Sequence, residues 1–203
     1  MVTGLEEVDP AAWDALVPAD NPFLEHRFLH GLETSGAVGR GTGWQPCHVV
    51  VEDEGRVVAA MPLYARGDSY GEYVFDWSWA SAAARAGLRY YPKLTTAVPF
   101  TPSSTGRVLG DPARLVPAVE MFRRETGASG HHVLFCSAAE AGRLARLGYA
   151  PRLGFQFQWR DEGFGDFDGF VGRFNHKRRK ELLRERRQVR EAGIGVQVLR
   201  GND

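Results

Sequence analysis

Cysteine is scarce in this chain of 203 residues: Cys47 and Cys136 stand alone and far apart. There is no CxxC pair and no cluster at metal-ligand spacing, so a disulfide scaffold, a zinc ribbon and thioredoxin-type redox chemistry are excluded and no metal site is expected. Two isolated thiols are what a reduced, cytoplasmic protein carries. Long apolar runs are lacking too. The longest, Val57 to Leu63, is far too short to span a bilayer. The N-terminal MVTGLEEVDP has neither a basic region nor an apolar centre, so no signal peptide is expected. Internal repeats and low-complexity tracts are missing. The glycine-rich Gly36 to Gly43 lacks the spacing of a phosphate-binding loop and reads as a flexible connection.

Net charge is also lacking, but the zero is a sum of unlike parts. Residues 173–203 hold 10 of the 25 Lys and Arg and 4 of the 25 Asp and Glu, a net +6; residues 1–172 keep 15 and 21, a net −6. We therefore expect one domain over 1–172 and a basic connecting segment over 173–203.

What is present is a succession of short elements. Asp9-Pro10 opens a helix, with Asp as cap and Pro at the first helical position. Phe23 to Thr34 reads as an amphipathic helix. Cys47 to Glu52 and Arg56 to Leu63, joined by Asp53-Glu54-Gly55, read as a hairpin whose second strand should lie centrally in a sheet. A helix is expected within Tyr70 to Ala86, a strand at Leu94 to Val98, and a helix from Asp111 or Val116. Then come a strand at His132 to Cys136, a helix over Ala138 to Leu147 and a strand at Phe155 to Trp159. Helices over Phe167 to Phe174 and Asn175 to Ala192 follow, and a strand begins at Val196 to Leu199. A hairpin followed by βαβαβ predicts an α/β (α+β) fold, a mixed sheet flanked by helices. The order is similar to the GNAT acyltransferase fold.

Gly71 to Pro102 is the stretch that points to chemistry. It holds seven aromatics (Tyr73, Phe75, Trp77, Trp79, Tyr90, Tyr91 and Phe100) beside Glu72, Asp76 and Lys93. Charged groups interleaved with aromatics suggest a concave site. Phe75, Trp79 and Phe100 are expected to be core; Glu72, Asp76, Tyr91 and Lys93 are expected to line the site.

The runs GTGWQP, GEYVFDWSWA, YYPKLTTAVPFTP, HHVLF, GFQFQW and RRKELLRERRQVREAGI together resemble the FemAB-like, GNAT-related group described as peptidoglycan biosynthesis or recognition proteins. The resemblance implies a longer protein, with this chain as the N-terminal half and a second GNAT-like half after the basic helix. It implies an N-acyltransferase, acetyl- or aminoacyl-, acting on peptidoglycan-precursor peptides. Acyl-CoA or aminoacyl-tRNA would be the donor in the full-length protein, with no cofactor bound by this half. A peptide or amine acceptor and tRNA are the partners it implies. The family often has His before the Trp of the QF-x-W strand; here that residue is Gln158, so a base at that position is ruled out.

Amide-forming acyl transfer needs an amine deprotonated and an oxyanion stabilised. Glu72 or Asp76 could take the proton, while Tyr91 or Tyr73 could donate to the oxyanion. Lys93 could hold a carboxylate or phosphate of the acceptor. Trp77, His132 and Gln156 complete the candidate substrate-binding set; His132 precedes an apolar strand and reads as a core-edge histidine ahead of a catalytic one. Surface ion pairs are the plain alternative for the charged members. The junction Arg107-Val-Leu-Gly110-Asp-Pro112 is the nearest match to a pyrophosphate-binding turn. Pro112 has no N–H and Asp111 brings negative charge, so it reads as a helix cap. In the basic helix, Lys177, Arg178, Arg179, Arg186 and Arg187 are candidates for a polyanion; a solvated face is the alternative. A second function class therefore stays open, a non-catalytic module binding a cell-wall precursor or nucleic acid.

Overall fold

The computed structural model describes residues 1–201. The chain divides into two compact units, Met1–Gly154 and the residues from Phe155 onward. The first begins with α1 (Pro10–Asp14) and α2 (His26–Thr34). The Asp9 carboxylate accepts from the Ala12 N–H and Pro10 starts α1, as the Asp-Pro pair dictates. Trp13 of α1 is fully buried and donates its indole N–H to the Leu24 carbonyl at 2.8 Å.

Strands β1 (Trp44–Pro46), β4 (Leu63–Arg66), β5 (Lys93–Thr96) and β6 (His131–Val133) form one sheet in that order. β1–β4 and β4–β5 are antiparallel and β5–β6 is parallel, so the sheet is mixed, as expected. Strands β2 (Val49–Asp53) and β3 (Arg56–Met61) are the anticipated hairpin, but they form a sheet of two. The sequence reading of a single central strand from Arg56 to Leu63 is thereby corrected. Pro62 cannot donate to a ladder, and at that residue the chain leaves β3 and enters β4 of the other sheet.

Helix α4 (Pro112–Thr126) packs on β2 and β3 through Leu115 and Val119. Asp111 accepts from the Ala113 N–H and Pro112 is the first helical residue, so the junction is a helix cap. Met121 of the same helix is exposed. Helix α5 (Ala138–Arg146) is capped by Ser137. From it the buried Glu140 reaches back to the loop before α4, accepting from the Arg107 N–H at 2.9 Å and the Val108 N–H at 2.8 Å. The buried Arg107 guanidinium donates to the carbonyls of Leu134 and Ser103. Those bonds fix the segment 103–109, which has no regular structure of its own.

Two expected strands do not form. Phe155 to Trp159 and Val196 to Leu199 have no ladder, and Phe155, Phe157, Trp159, Val196, Val198 and Leu199 are exposed. Alternation of apolar residues marks a face that could pair, but a strand needs a neighbouring backbone, and neither segment has one among the described residues. In the second unit α6 (Phe167–Gly172) is capped by Asp166, and α7 (His176–Glu191) by Asn175.

Glu140 yields a stability prediction. Glu140→Ala would leave two buried N–H groups without an acceptor and the Arg107 charge uncompensated, a loss of about 3 kcal/mol. Urea denaturation of the variant beside the parent measures it; an unchanged midpoint would remove Glu140 from this role.

Candidate functional site

Arg66, the last residue of β4, stands opposite Lys93, the first of β5, in the antiparallel register. Both are fully buried. Two like charges directly opposite each other destabilise a sheet unless neutralised. Here the next turn of chain supplies the counter-charges. Lys93 Nζ donates to Glu72 Oε2 at 2.7 Å, Asp76 Oδ2 at 2.7 Å and Ser69 Oγ at 2.8 Å. Glu72 Oε1 accepts from Arg66 Nε and from the Thr95 hydroxyl, each at 3.2 Å. Arg66 also donates to the carbonyls of Gly43 and Tyr70 and to Asp68, and its guanidinium lies 3.7 Å from the centre of the Trp44 ring. The two buried cations are thus balanced by two buried carboxylates.

The tyrosines complete the cluster. Tyr90 donates its hydroxyl to Asp76 Oδ2 at 2.6 Å, and the Tyr91 hydroxyl is 2.8 Å from Ser69 Oγ. Burial pushes the Asp76 carboxyl up, but hydrogen bonds from Lys93, Ser69 and Tyr90 outweigh it and hold the group down at about 2. Burial and then the bond to Asp76 raise the Tyr90 phenol, so it stays a donor at neutral pH.

The structure therefore brings Glu72, Asp76, Tyr91 and Lys93 together. His132 is beside them, its ring edge-on to Tyr90 with centroids 5.9 Å apart. Burial, reinforced by the Lys93 charge, lowers His132 to about 4, so it is neutral at pH 7. The geometry also limits what the members can do. An ammonium has three donors, and Lys93 uses all three within the cluster. Both Glu72 oxygens accept from neighbours. Asp76 Oδ1 is the buried acceptor left with no hydrogen bond of good geometry among the described residues. Gln156 belongs to the other unit, in an exposed irregular segment. Arg66, Ser69, Tyr90 and Thr95 are members that sequence reading missed. A sign was available for Arg66, a charged residue ending the apolar run RVVAAMPLYAR.

Around this buried cluster the aromatics face outward. Phe75, Trp79 and Phe100, expected in the core, are 70%, 58% and 43% exposed, as are Tyr70, Tyr73 and Trp77 in large part. Glu72 and Asp76 turn in to Lys93 and Val74 packs on the cluster of Trp44 and Tyr64, while Tyr73, Phe75, Trp77 and Trp79 turn out. Tyr73 and Phe75 take left-handed backbone, φ 59° and 53°, and Phe100 does so at 60°, each a conformation that strains an ordinary residue by about 1–2 kcal/mol. Phe100 packs so closely on the backbone that a Cβ at Gly71 would lie 2.6 Å from its ring, which only glycine permits.

The basic helix α7 is sorted by the structure as well. Arg178 pairs with Glu181 at 2.6 Å, Arg179 donates to the carbonyls of Gly172 and Phe174, and Arg186 lies 4.0 Å from the centre of the Phe167 ring. Lys177 and Arg187, with Lys180 and Arg184, have no such partner among the described residues and fall on one side of the helix at i, i+3, i+7 and i+10.

An α/β chain with a mixed sheet, a buried four-charge cluster at one strand pair and an outward-turned aromatic segment is the class these observations define. Its family follows from comparison. The chain belongs to the FemAB-like family, described as peptidoglycan biosynthesis/recognition, whose model matches residues 4–203. No curated protein and no solved structure gives a significant match.

Two measurements check the cluster. Lys93→Met leaves two buried carboxylates facing each other and should destabilise the fold by about 3–5 kcal/mol; adding Glu72→Gln should recover part of that. Equal urea midpoints for the single and double variants would contradict the coupling. Second, His131, hydrogen bonded to Thr96 and to the Tyr149 hydroxyl, is lowered by burial to about 3, and His132 to about 4. Both lie below the 6.5 of a free histidine. As pH falls the unfolded chain takes up protons first, so stability should decline from about pH 6.5 towards pH 3. The decline should be shallower by about one proton in His131→Asn. A pH-independent midpoint over that range would refute it.

Proposed function

We propose that this chain is an N-acyltransferase of FemAB-like type, acetyl- or aminoacyl-transferring, that takes a peptidoglycan-precursor peptide as acceptor at the segment from Ser69 to Lys93. The observation that carries the reading is the buried cluster of Lys93, Arg66, Glu72 and Asp76 in a chain of this family. Four charges closed off from water add little stability over apolar packing. What they do is hold the segment 69–79 in one strained shape, which is the support a substrate-positioning segment needs. In this reading Glu72, Asp76 and Lys93 are positioning residues. An Asp76 carboxyl at about 2 is too weak a base to collect an ammonium proton efficiently near neutral pH. Tyr73 and Tyr91 meet the acceptor, with neutral His132 behind them. The GNAT-like order of hairpin, β5, α4 and β6 supports the transferase class. The donor, acyl-CoA or aminoacyl-tRNA, binds elsewhere than the start of α4, because the Asp111 carboxylate already occupies that N-terminus and Pro112 has no N–H to offer.

A second reading is favoured by the free cations of α7, a module that binds a polyanion such as nucleic acid through Lys177, Lys180, Arg184 and Arg187.

Isothermal titration of the 203-residue chain with UDP-muramyl peptides tests the first reading. Saturable binding is expected, weakened about tenfold by Tyr91→Phe through the loss of one hydrogen bond. Binding to none of these peptides would sink it. For the second, Lys180→Glu with Arg184→Glu should lower duplex RNA affinity and its salt slope, whereas Arg178→Glu should change both much less. Equal losses in the two variants would reject the assignment of the free side of α7.

A further inference from the structure

The surface of the segment Ser69 to Gly110 has an unusual charge pattern. Its 42 residues contain two acids, Glu72 and Asp76, and both are buried on Lys93. Its three other basic residues besides the buried Lys93 reduce to two at the surface: Arg107 is buried, while Arg85 and Arg89 are exposed. Everything else that it shows to solvent is neutral, and much of it is aromatic or aliphatic: Tyr70, Tyr73, Phe75, Trp77, Trp79 and Leu88. A chain whose residues 1–172 carry 21 acids thus has one segment that shows cations and large apolar groups and no exposed acid of its own; the nearby Asp68 and Glu120 are paired, with Arg66 and with Arg123 and Arg124.

Helix α3 (Trp77–Arg85) lies in the middle of this face and has no buried residue. Nine residues are too few to hold a helix by propensity alone, so the sequence WSWASAAAR has the form of a helix with a missing partner. Arg152 adds a further cation, 4.9 Å from the centre of the Trp79 ring. Leu88 and Arg89 border a surface hollow of about 520 Å³ whose other walls include Arg123, Arg124 and Ser129. Arg123 and Arg124 are engaged by Glu120, at 2.7 and 2.8 Å; Arg89 has no such partner among the described residues.

We propose that this face is an interfacial membrane-binding surface for anionic phospholipid. Trp and Tyr are the side chains that settle at the boundary between headgroups and acyl chains. Phe75 and Leu88 supply apolar depth, and Arg85, Arg89 and Arg152 meet lipid phosphates, as in helices that lie in the plane of a bilayer. Arginines standing among exposed Trp, Tyr and Phe are the combination that suits a sheet of anionic headgroups, which offers phosphates to the cations and an apolar boundary to the aromatics. No helix among the described residues is long and apolar enough to cross a membrane, so the contact is with one leaflet. The proposal does not depend on the transferase reading: it needs neither acceptor nor donor.

Co-sedimentation with vesicles of equal parts phosphatidylglycerol and phosphatidylcholine, beside vesicles of phosphatidylcholine alone, tests it on the 203-residue chain. Partition into the anionic vesicles is expected. It should fall at least about tenfold in Trp77→Ser with Trp79→Ser, and about fivefold for each of Arg85→Glu and Arg89→Glu. All these side chains are exposed, so far-UV circular dichroism should show the fold unchanged. Because α7 is also cationic, the aromatic variants are the deciding ones. Partition that persists undiminished in Trp77→Ser with Trp79→Ser overturns the proposal and assigns binding to another surface. Absence of partition by the parent chain overturns it as well. So does a dimer in light scattering that the two serine substitutions abolish, which would assign the face to a second copy.

Discussion

Arg66 and Lys93 face each other across β4 and β5 with no contact to water, and the local structure follows from that. A strand pair with two opposed cations cannot be left alone in a low-dielectric interior; counter-charges have to arrive from somewhere. They arrive from a single short stretch, with Glu72 bridging both cations and Asp76 closing on Lys93. Between Glu72 and Asp76, which both turn inward, Tyr73 and Phe75 take left-handed backbone and their side chains are exposed.

This coupling also separates what the cluster does from what it was expected to do. A lysine and two carboxylates near tyrosines suggest a proton acceptor and an anion holder. Once Lys93 spends its three donors on Ser69, Glu72 and Asp76, it has none for a substrate. Under the proposed acceptor site, the contacts to substrate fall to the hydroxyls of Tyr91 and Tyr73, and the charges are the frame. A buried ion cluster under a strained aromatic segment is a way to fix shape where apolar packing would leave the segment free to collapse onto the core.

The same logic separates the two basic regions. On α7 three of the eight cations serve the unit that carries them, by pairing with Glu181, capping backbone carbonyls or covering Phe167. Around α3 the cations are fewer, but Arg85 and Arg89 stand in a segment of exposed aromatics whose own two acids are buried. Count of charge and availability of charge are therefore different properties, and only the second bears on a partner.

Much of the fold was legible from residue order. Asp9-Pro10 and Asp111-Pro112 each announced a helix start, because a short polar side chain satisfies N–H groups that every helix leaves open. Asp53-Glu54-Gly55 announced the hairpin, and Glu72, Asp76, Tyr91 and Lys93 were identifiable as one group by their company of aromatics. What the sequence alone did not determine was the environment of each. Phe75, Trp79 and Phe100 read as core because hydrophobicity is a local property, whereas exposure depends on which neighbours are pinned. Phe155 to Trp159 read as a strand because alternation is local, whereas a ladder needs a second backbone. Arg66 went unnoticed because a lone arginine at a strand end has no meaning until the register places it against Lys93. Local geometry, set by side chains acting on their own backbone, was in the sequence; burial, pairing and the balance of charge were decided when distant segments met.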